Sequence, residues 1–257
     1  AGPGAPAASA AVAPAVPALT ARRELPAARF STPPAIDGDL SDPCWATAPQ
    51  AERFTDDLYG QPVADQTIAY LGYDARYIYV GFHAFDSQPR KIVAQQTKRG
   101  ASLAGDESFI FTIDTFNTHK GDDRSSFSIN PLGTQVATLA SGRGTKLEWE
   151  GAWKSAARLT PDGWSGEMAI PWSILNYPAV KGPTTCGINF NRFQQRTQLT
   201  SWWSNVGVNG FYDLDGQWIG VRFPGFVPRL SLLPYAIPAW GQGPGATLRS
   251  GLDARCT

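Results

Sequence analysis

The chain has 257 residues, with 22 Lys+Arg against 22 Asp+Glu, so its formal net charge is zero. That length suits one large or two small domains. A zero balance with 17% charged residues argues against a nucleic-acid binder held by phosphate contacts. No apolar run approaches the roughly 20 residues of a membrane-spanning helix.

In chain order, residues 1–29 come first, an Ala/Pro-rich stretch that cannot bury apolar surface. It is expected to be a flexible arm. Such spacers follow removed signal peptides or join domains, so the chain reads as an exported protein, with a flexible cytosolic tail as the alternative. Order is expected from Phe30. Gln66–Tyr73 and Tyr77–Ala84, separated by Asp74-Ala75-Arg76, predict a hairpin. Ser108–Asp114 and Arg124–Asn130 read as strands around an exposed turn. Asn130-Pro131-Leu132-Gly133 turns into a strand over Thr134–Leu139. Trp153–Leu159 and Trp164–Ile170 flank the turn Thr160-Pro161-Asp162-Gly163. Gly187–Arg196 alternates apolar and polar residues, and Gln217–Phe223 closes the set. About ten short strands with turn punctuation and weak helix signals predict an all-β fold, an antiparallel two-sheet β-sandwich over 30–224. Residues 225–257 change character. Arg229–Ile237 and Thr247–Arg255 read as two further strands without a partner in the sandwich.

Enzyme motifs are missing. His83 and His119 are the two histidines, and neither has a partner at metal-ligand spacing. Gly163-Trp164-Ser165-Gly166 is one residue short of a nucleophile elbow, and no phosphate or dinucleotide loop is present. The pairs Asp56-Asp57, Asp106-Glu107 and Asp122-Asp123 read as surface charge. Asp37, Asp39 and Asp42, and likewise Asp213 with Asp215, place carboxylates at spacings that suit Ca²⁺. They are the candidate structural calcium ligands. A haem site would need axial Met and His ligands, and a single Met168 with two histidines does not favour one. Cys44, Cys186 and Cys256 allow three pairings or none.

Nine tryptophans need homes. Trp45, Trp164, Trp172 and Trp218 sit in or beside strands and are expected in packing. Trp202 and Trp203 are adjacent, so in an extended segment one faces in and the other out. The outward ring could stack on a sugar face, with Asn191, Arg192, Gln194 and Gln195 supplying planar hydrogen-bonding groups. The plainer alternative is a core pair beside a solvated strand. Trp149 and Trp153 are a second candidate pair.

The segment AIDGDLSDPCWATAP (35–49) resembles the opening of family 9 carbohydrate-binding modules. IAYLGYDARYIYVGFHAFD, GDESFIFTIDTF, SFSINPLGTQ, WEGAWKSAARLTPDGWSGEMAIPWSIL and GINFNRFQQRTQLTSWW resemble later parts of that family, in order. Together they span roughly Pro34 to Phe223. The resemblance implies a jelly-roll-like two-sheet sandwich, structural calcium and glycan binding without catalysis. It places the stacking aromatic at Trp202 or Trp203 and a polar contact at Arg99. PRLSLLPYAIPAW and GLDAR resemble the segment that starts an outer-membrane β-barrel in one subgroup, which implies a periplasmic or outer-membrane-associated location. The leading expectation is therefore a carbohydrate-binding module. Its rival is a structural or docking subunit of a larger membrane-associated assembly that uses the same sandwich without sugar.

Overall fold

A computed structural model describes residues 22–140, 153–225, 230–240 and 246–256. Strands dominate. They are β1 (Glu24–Pro26), β2 (Gln50–Ala51), β3 (Thr55–Asp56), β4 (Thr67–Tyr73), β5 (Tyr77–Phe85), β6 (Ser108–Asp114), β7 (Ser125–Ile129) and β8 (Gln135–Thr138). Then follow β9 (Lys154–Thr160), β10 (Gly163–Pro171), β11 (Thr184–Gln194), β12 (Leu199–Trp202), β13 (Gly216–Val221), β14 (Leu230–Trp240) and β15 (Ala246–Cys256). The longest α-helical piece among the described residues is one turn, α1 (Pro43–Ala46).

The strands form two layers. One sheet runs β1-β13-β11-β6-β7-β8, with β12 paired to β11 and β3 to β12. The other runs β2-β4-β5-β10-β9. Within the sandwich every ladder is antiparallel except β1 with β13. The two-residue period of a strand sets the core. Leu71, Val80, Phe82, Trp164 and Met168 from one sheet meet Phe109, Phe111, Phe127, Ile188 and Phe190 from the other, all fully buried or nearly so. Phe82 and Phe109 stack across the layers with centroids 3.8 Å apart, and Trp164 meets Phe82 edge-on at 4.7 Å. Trp45, Trp164, Trp172 and Trp218 are packing residues, as their sequence positions predict.

The sandwich begins earlier than the composition predicts. Leu25 is buried, and Glu24–Pro26 pair with Gln217–Ile219 of β13. Three residues of strand carry too little pattern to stand out from an Ala/Pro-rich background. Residues 1–21, the bulk of the expected arm, lie outside the described residues.

A second, smaller cluster lies on the outer face of the five-stranded sheet, where Phe30, Trp45, Tyr79 and Ala169 pack. The Glu167 carboxylate is buried in that layer. It accepts hydrogen bonds from the Trp45 indole (2.8 Å) and from the backbone N–H groups of Asp37 (2.9 Å) and Gly38 (2.8 Å). Burial raises the Glu167 pKa, against the pull of these bonds. Cys44 belongs to this outer layer and Cys186 to the inter-sheet core, and both are free thiols.

β14 and β15 form a separate two-stranded sheet, as the sequence predicts, with Leu230 opposite Cys256 and Trp240 opposite Ala246.

Candidate functional site

β11 organises the candidate site because its two faces do different things. Cys186, Ile188 and Phe190 point into the core, and the same face continues with Arg192 and Gln194 at the end of the sandwich. Asn189 and Asn191 take the opposite face.

On the inward face, two arginines meet three carboxylates. The Arg192 side chain is 1% exposed. Its Nη2 lies 3.3 Å from Asp86 Oδ2 and 3.5 Å from Glu107 Oε2, while its Nη1 donates to the carbonyls of Phe85 and Asp65. Gln194 Nε2 donates to Asp65 Oδ2 (2.8 Å) and Asp86 Oδ2 (2.7 Å). Arg196 Nη2 reaches Asp65 Oδ2 and Asp86 Oδ1, each at 2.9 Å. Burial pushes the Glu107 pKa up to about 7, against the attraction of Arg192. The network ties β11 to the chain around β4 and β5, so it crosses the two layers. Beside it opens a cleft of about 200 Å³.

On the outward face, Asn191 lies directly opposite Trp202 of β12, and Thr55 of β3 flanks Trp202 on its other side. Trp202 is partly exposed. The loop after Trp203 folds over this face. Asn189 Nδ2 donates to Ser204 O (2.7 Å) and Asp215 Oδ1 (2.8 Å), and Arg124 Nε meets Asp215 Oδ2 at 2.8 Å. The Arg124 guanidinium sits 4.0 Å from the centre of the Tyr212 ring. Asn205 Nδ2 donates to Asp56 O at 2.6 Å, which joins this loop to the turn after β3. Those two loops carry Tyr59, 75% exposed, and Phe211, 56% exposed.

The expected constellation therefore divides. Trp202 and Asn191 share a face. Trp203 is a correction, because only 4% of it is exposed and it offers no stacking face. Its ring packs edge-on against Phe190 at 5.7 Å and lies on Gly216, where a Cβ would come within 2.2 Å of it. Arg192 and Gln194 are turned inward, away from Trp202, by the two-residue period of β11. Arg99 belongs elsewhere. It donates to the Trp153 carbonyl at 3.3 Å beside β8, and β6 and β7 stand between β8 and β11. Trp153 is buried, and Trp149 lies outside the described residues.

The expected calcium ligands do not converge either. Among the described residues no group of three or more His, Cys, Asp and Glu is arranged to hold a metal. Asp37 Oδ1 accepts the Asp39 N–H, and Asp39 Oδ2 is paired with Arg158 at 2.7 Å. That loop instead presents its backbone donors to Glu167. Asp215 is committed to Arg124 and Asn189, and burial raises its pKa against their pull. Asp213 is exposed and caps no such cluster. Carboxylates already spent on turns and guanidinium groups do not fit a calcium cage, which needs six to eight free oxygens.

Tyr59 and Phe211 were not legible as site residues. Each stands next to a turn glycine, Gly60 and Gly210, which is the one local hint of an exposed aromatic. The carboxylates that meet Arg192 come from separate strands and form no motif. The hint was Arg192 itself, at an inward position of an otherwise apolar alternation.

No family model matches the chain, and no curated protein does. Solved structures do. A family 9 carbohydrate-binding module from Caldicellulosiruptor kristjanssonii, solved with cellotriose, is 16% identical, with a TM-score of 0.56 over 80% of this chain and 95% of that one. The glucose complex of a module of the same family from that organism gives a TM-score of 0.54 at 16% identity, over 80% of this chain and 97% of that one. A protein from Bacteroides uniformis ATCC 8492, assigned to carbohydrate binding by inference, has a TM-score of 0.62 at 14% identity, over 77% and 99% of the two chains. The chain thus shares the two-sheet fold of family 9 carbohydrate-binding modules.

Proposed function

We propose that this chain is a non-catalytic, exported carbohydrate-binding module that holds a glycan by stacking on Trp202, with Asn191 beside it. The observation that carries the reading is selective exposure. Trp45, Trp153, Trp164, Trp172, Trp203 and Trp218 are buried, whereas Trp202 is partly exposed next to an amide on a sheet face. Tyr59 and Phe211, on the two loops joined through Asn205, extend the same rim with ring surface that a core does not need. The sugar ligands of the similar structures support the choice of ligand class. A tryptophan fluorescence titration of the full chain against glucose, cellotriose and a wider oligosaccharide panel tests it. The expected result is a saturable change that Trp202→Ala abolishes. A flat response across the panel would sink the stacking site.

One observation favours a second reading, a docking subunit of a membrane-associated assembly at the outer membrane. The β14–β15 hairpin exposes Leu233, Tyr235, Ile237, Leu248 and Leu252, at 64%, 49%, 55%, 70% and 59%. Its register sets Leu252 opposite Pro234 and Leu248 opposite Pro238, and sets Asp253 and Arg249 on the other face with Leu233 and Ile237. A sheet so apolar needs a cover. Fractionation of cells expressing the chain with and without residues 226–257 separates the readings. Loss of envelope association on truncation supports docking, and unchanged distribution removes that role from the hairpin.

A further inference from the structure

We infer that the cleft on the inward side of β12 is a second binding site, for one neutral, hydroxyl-rich ligand of about the size of a single sugar ring. The inference goes beyond the Trp202 platform and stands without it, because β12 divides the two. Ser201 lines the cleft, while Trp202, the next residue, takes the opposite face of the strand.

The lining decides the chemistry. Ser201, the Asp65 carboxylate, Gln194 and the two guanidinium groups line the cleft with the Ser87 and Thr197 hydroxyls, which donate to Asp65 and Gln194 and keep their acceptor lone pairs, and Val63 and Leu199 supply apolar wall. That mixture matches a ring with hydroxyl edges and C–H patches. An anion is disfavoured. Arg196 is already held by Asp65 and Asp86, and Arg192 by Asp86 and Glu107, so no positive charge is left over. A nucleobase or other flat aromatic is disfavoured too, because no ring lines the cleft to stack on it. The volume of about 200 Å³ equals the share of about six or seven liquid waters, which is room for one ring and not a chain. Two donors behind the lining are unspent. Arg192 Nε and Arg196 Nε are buried with no acceptor, so a reorientation of either guanidinium toward the cleft gives an incoming hydroxyl oxygen a hydrogen bond.

The ligand can be a free monosaccharide or the end of a glycan, and both arms enter the test. The full chain is titrated with glucose and with cellotriose while the Arg196 Nε–H resonance, assigned by its loss in Arg196→Lys, is followed by NMR. The expected result is a saturable shift that persists in Trp202→Ala, weakens several-fold in Ser201→Ala and disappears in Ala64→Trp, where an exposed loop residue at the mouth fills the space. A shift with cellotriose alone assigns the cleft to chain ends, and a shift with glucose assigns it to single rings. No shift with either sugar up to ~100 mM, well above a millimolar Kd, overturns the inference and leaves water as the occupant. A shift that survives Ala64→Trp overturns the location, and one that vanishes in Trp202→Ala overturns the separateness of the sites. A fluorescence response without an Arg196 shift leaves the Trp202 reading standing alone. The converse leaves the cleft standing alone.

Discussion

β11 and β14 are both 11 residues long and both rich in apolar residues, yet they live in opposite surroundings. β11 has neighbours on both edges and material over both faces, and nearly all of it is buried. β14 has β15 on one edge, and its described residues from Leu233 to Pro238 are all exposed. Strand pattern alone thus specifies a strand but not its burial. What distinguishes β11 is the set of partners it gathers, from Phe111 in the core to Asp86 at the sandwich end.

The largest expected effects come from breaking those partnerships. Trp164→Ala removes a fully buried ring packed on Phe82 and should cost about 3–5 kcal/mol. Leu233→Ala in the hairpin should stay within about 0.5 kcal/mol. Denaturant midpoints of the two variants check the pair, and similar losses would show that the hairpin is a packed part of the core. Arg192→Met leaves Glu107 buried without its guanidinium and Asp86 with Arg196 as its remaining one, and should cost about 3–5 kcal/mol. A loss under about 1 kcal/mol, by the same measurement, would show that the network relaxes freely.

Next comes pH. The ordinary Glu107 value is 4.5 and the folded one about 7, so the folded chain retains a proton that the unfolded chain releases. Stability from this group is fully present below pH 4.5, falls as pH rises and is gone by about pH 7, a change on the order of 3 kcal/mol. Urea titrations between those values should show the fall, and Glu107→Gln should flatten it. The smallest effect is on the outer face. Trp202→Ala should cost about 1–2 kcal/mol, less than Trp164→Ala because its ring is only partly buried, while it removes the sugar response. A large loss of stability would recast Trp202 as a packing residue.

Much of the sandwich was legible in the residues. Ser108–Asp114 is a strand with the predicted bounds, and the hairpin through Asp74 and the turn at Pro161-Asp162 are where their turn residues put them. Long alternating runs specify their own secondary structure, and aromatic residues at one period face one core. β1, β2, β3 and β12 were not legible as strands, because two to four residues carry no period. Neither was the split of the site. One of two adjacent tryptophans had to point inward, but only the bare Gly216 beneath Trp203 decides which. The DGDLSD loop offered oxygens at cation spacing. Its partner proved to be Glu167, more than a hundred residues downstream, which local spacing cannot reveal.

The single parallel ladder of the sandwich has a mechanical consequence. Gln217 N–H donates to Arg23 O and Ala27 N–H to Ile219 O, so the ladder is bonded along the length of β1. The chain enters at one end of this ladder and leaves β13 at the other. Tension applied through residue 22 and residue 222 would load these bonds in shear, all together, and not peel them one at a time. A module strung between two anchored partners would therefore resist pulling at its own entry point, and its lifetime under load would follow the rate of that rupture.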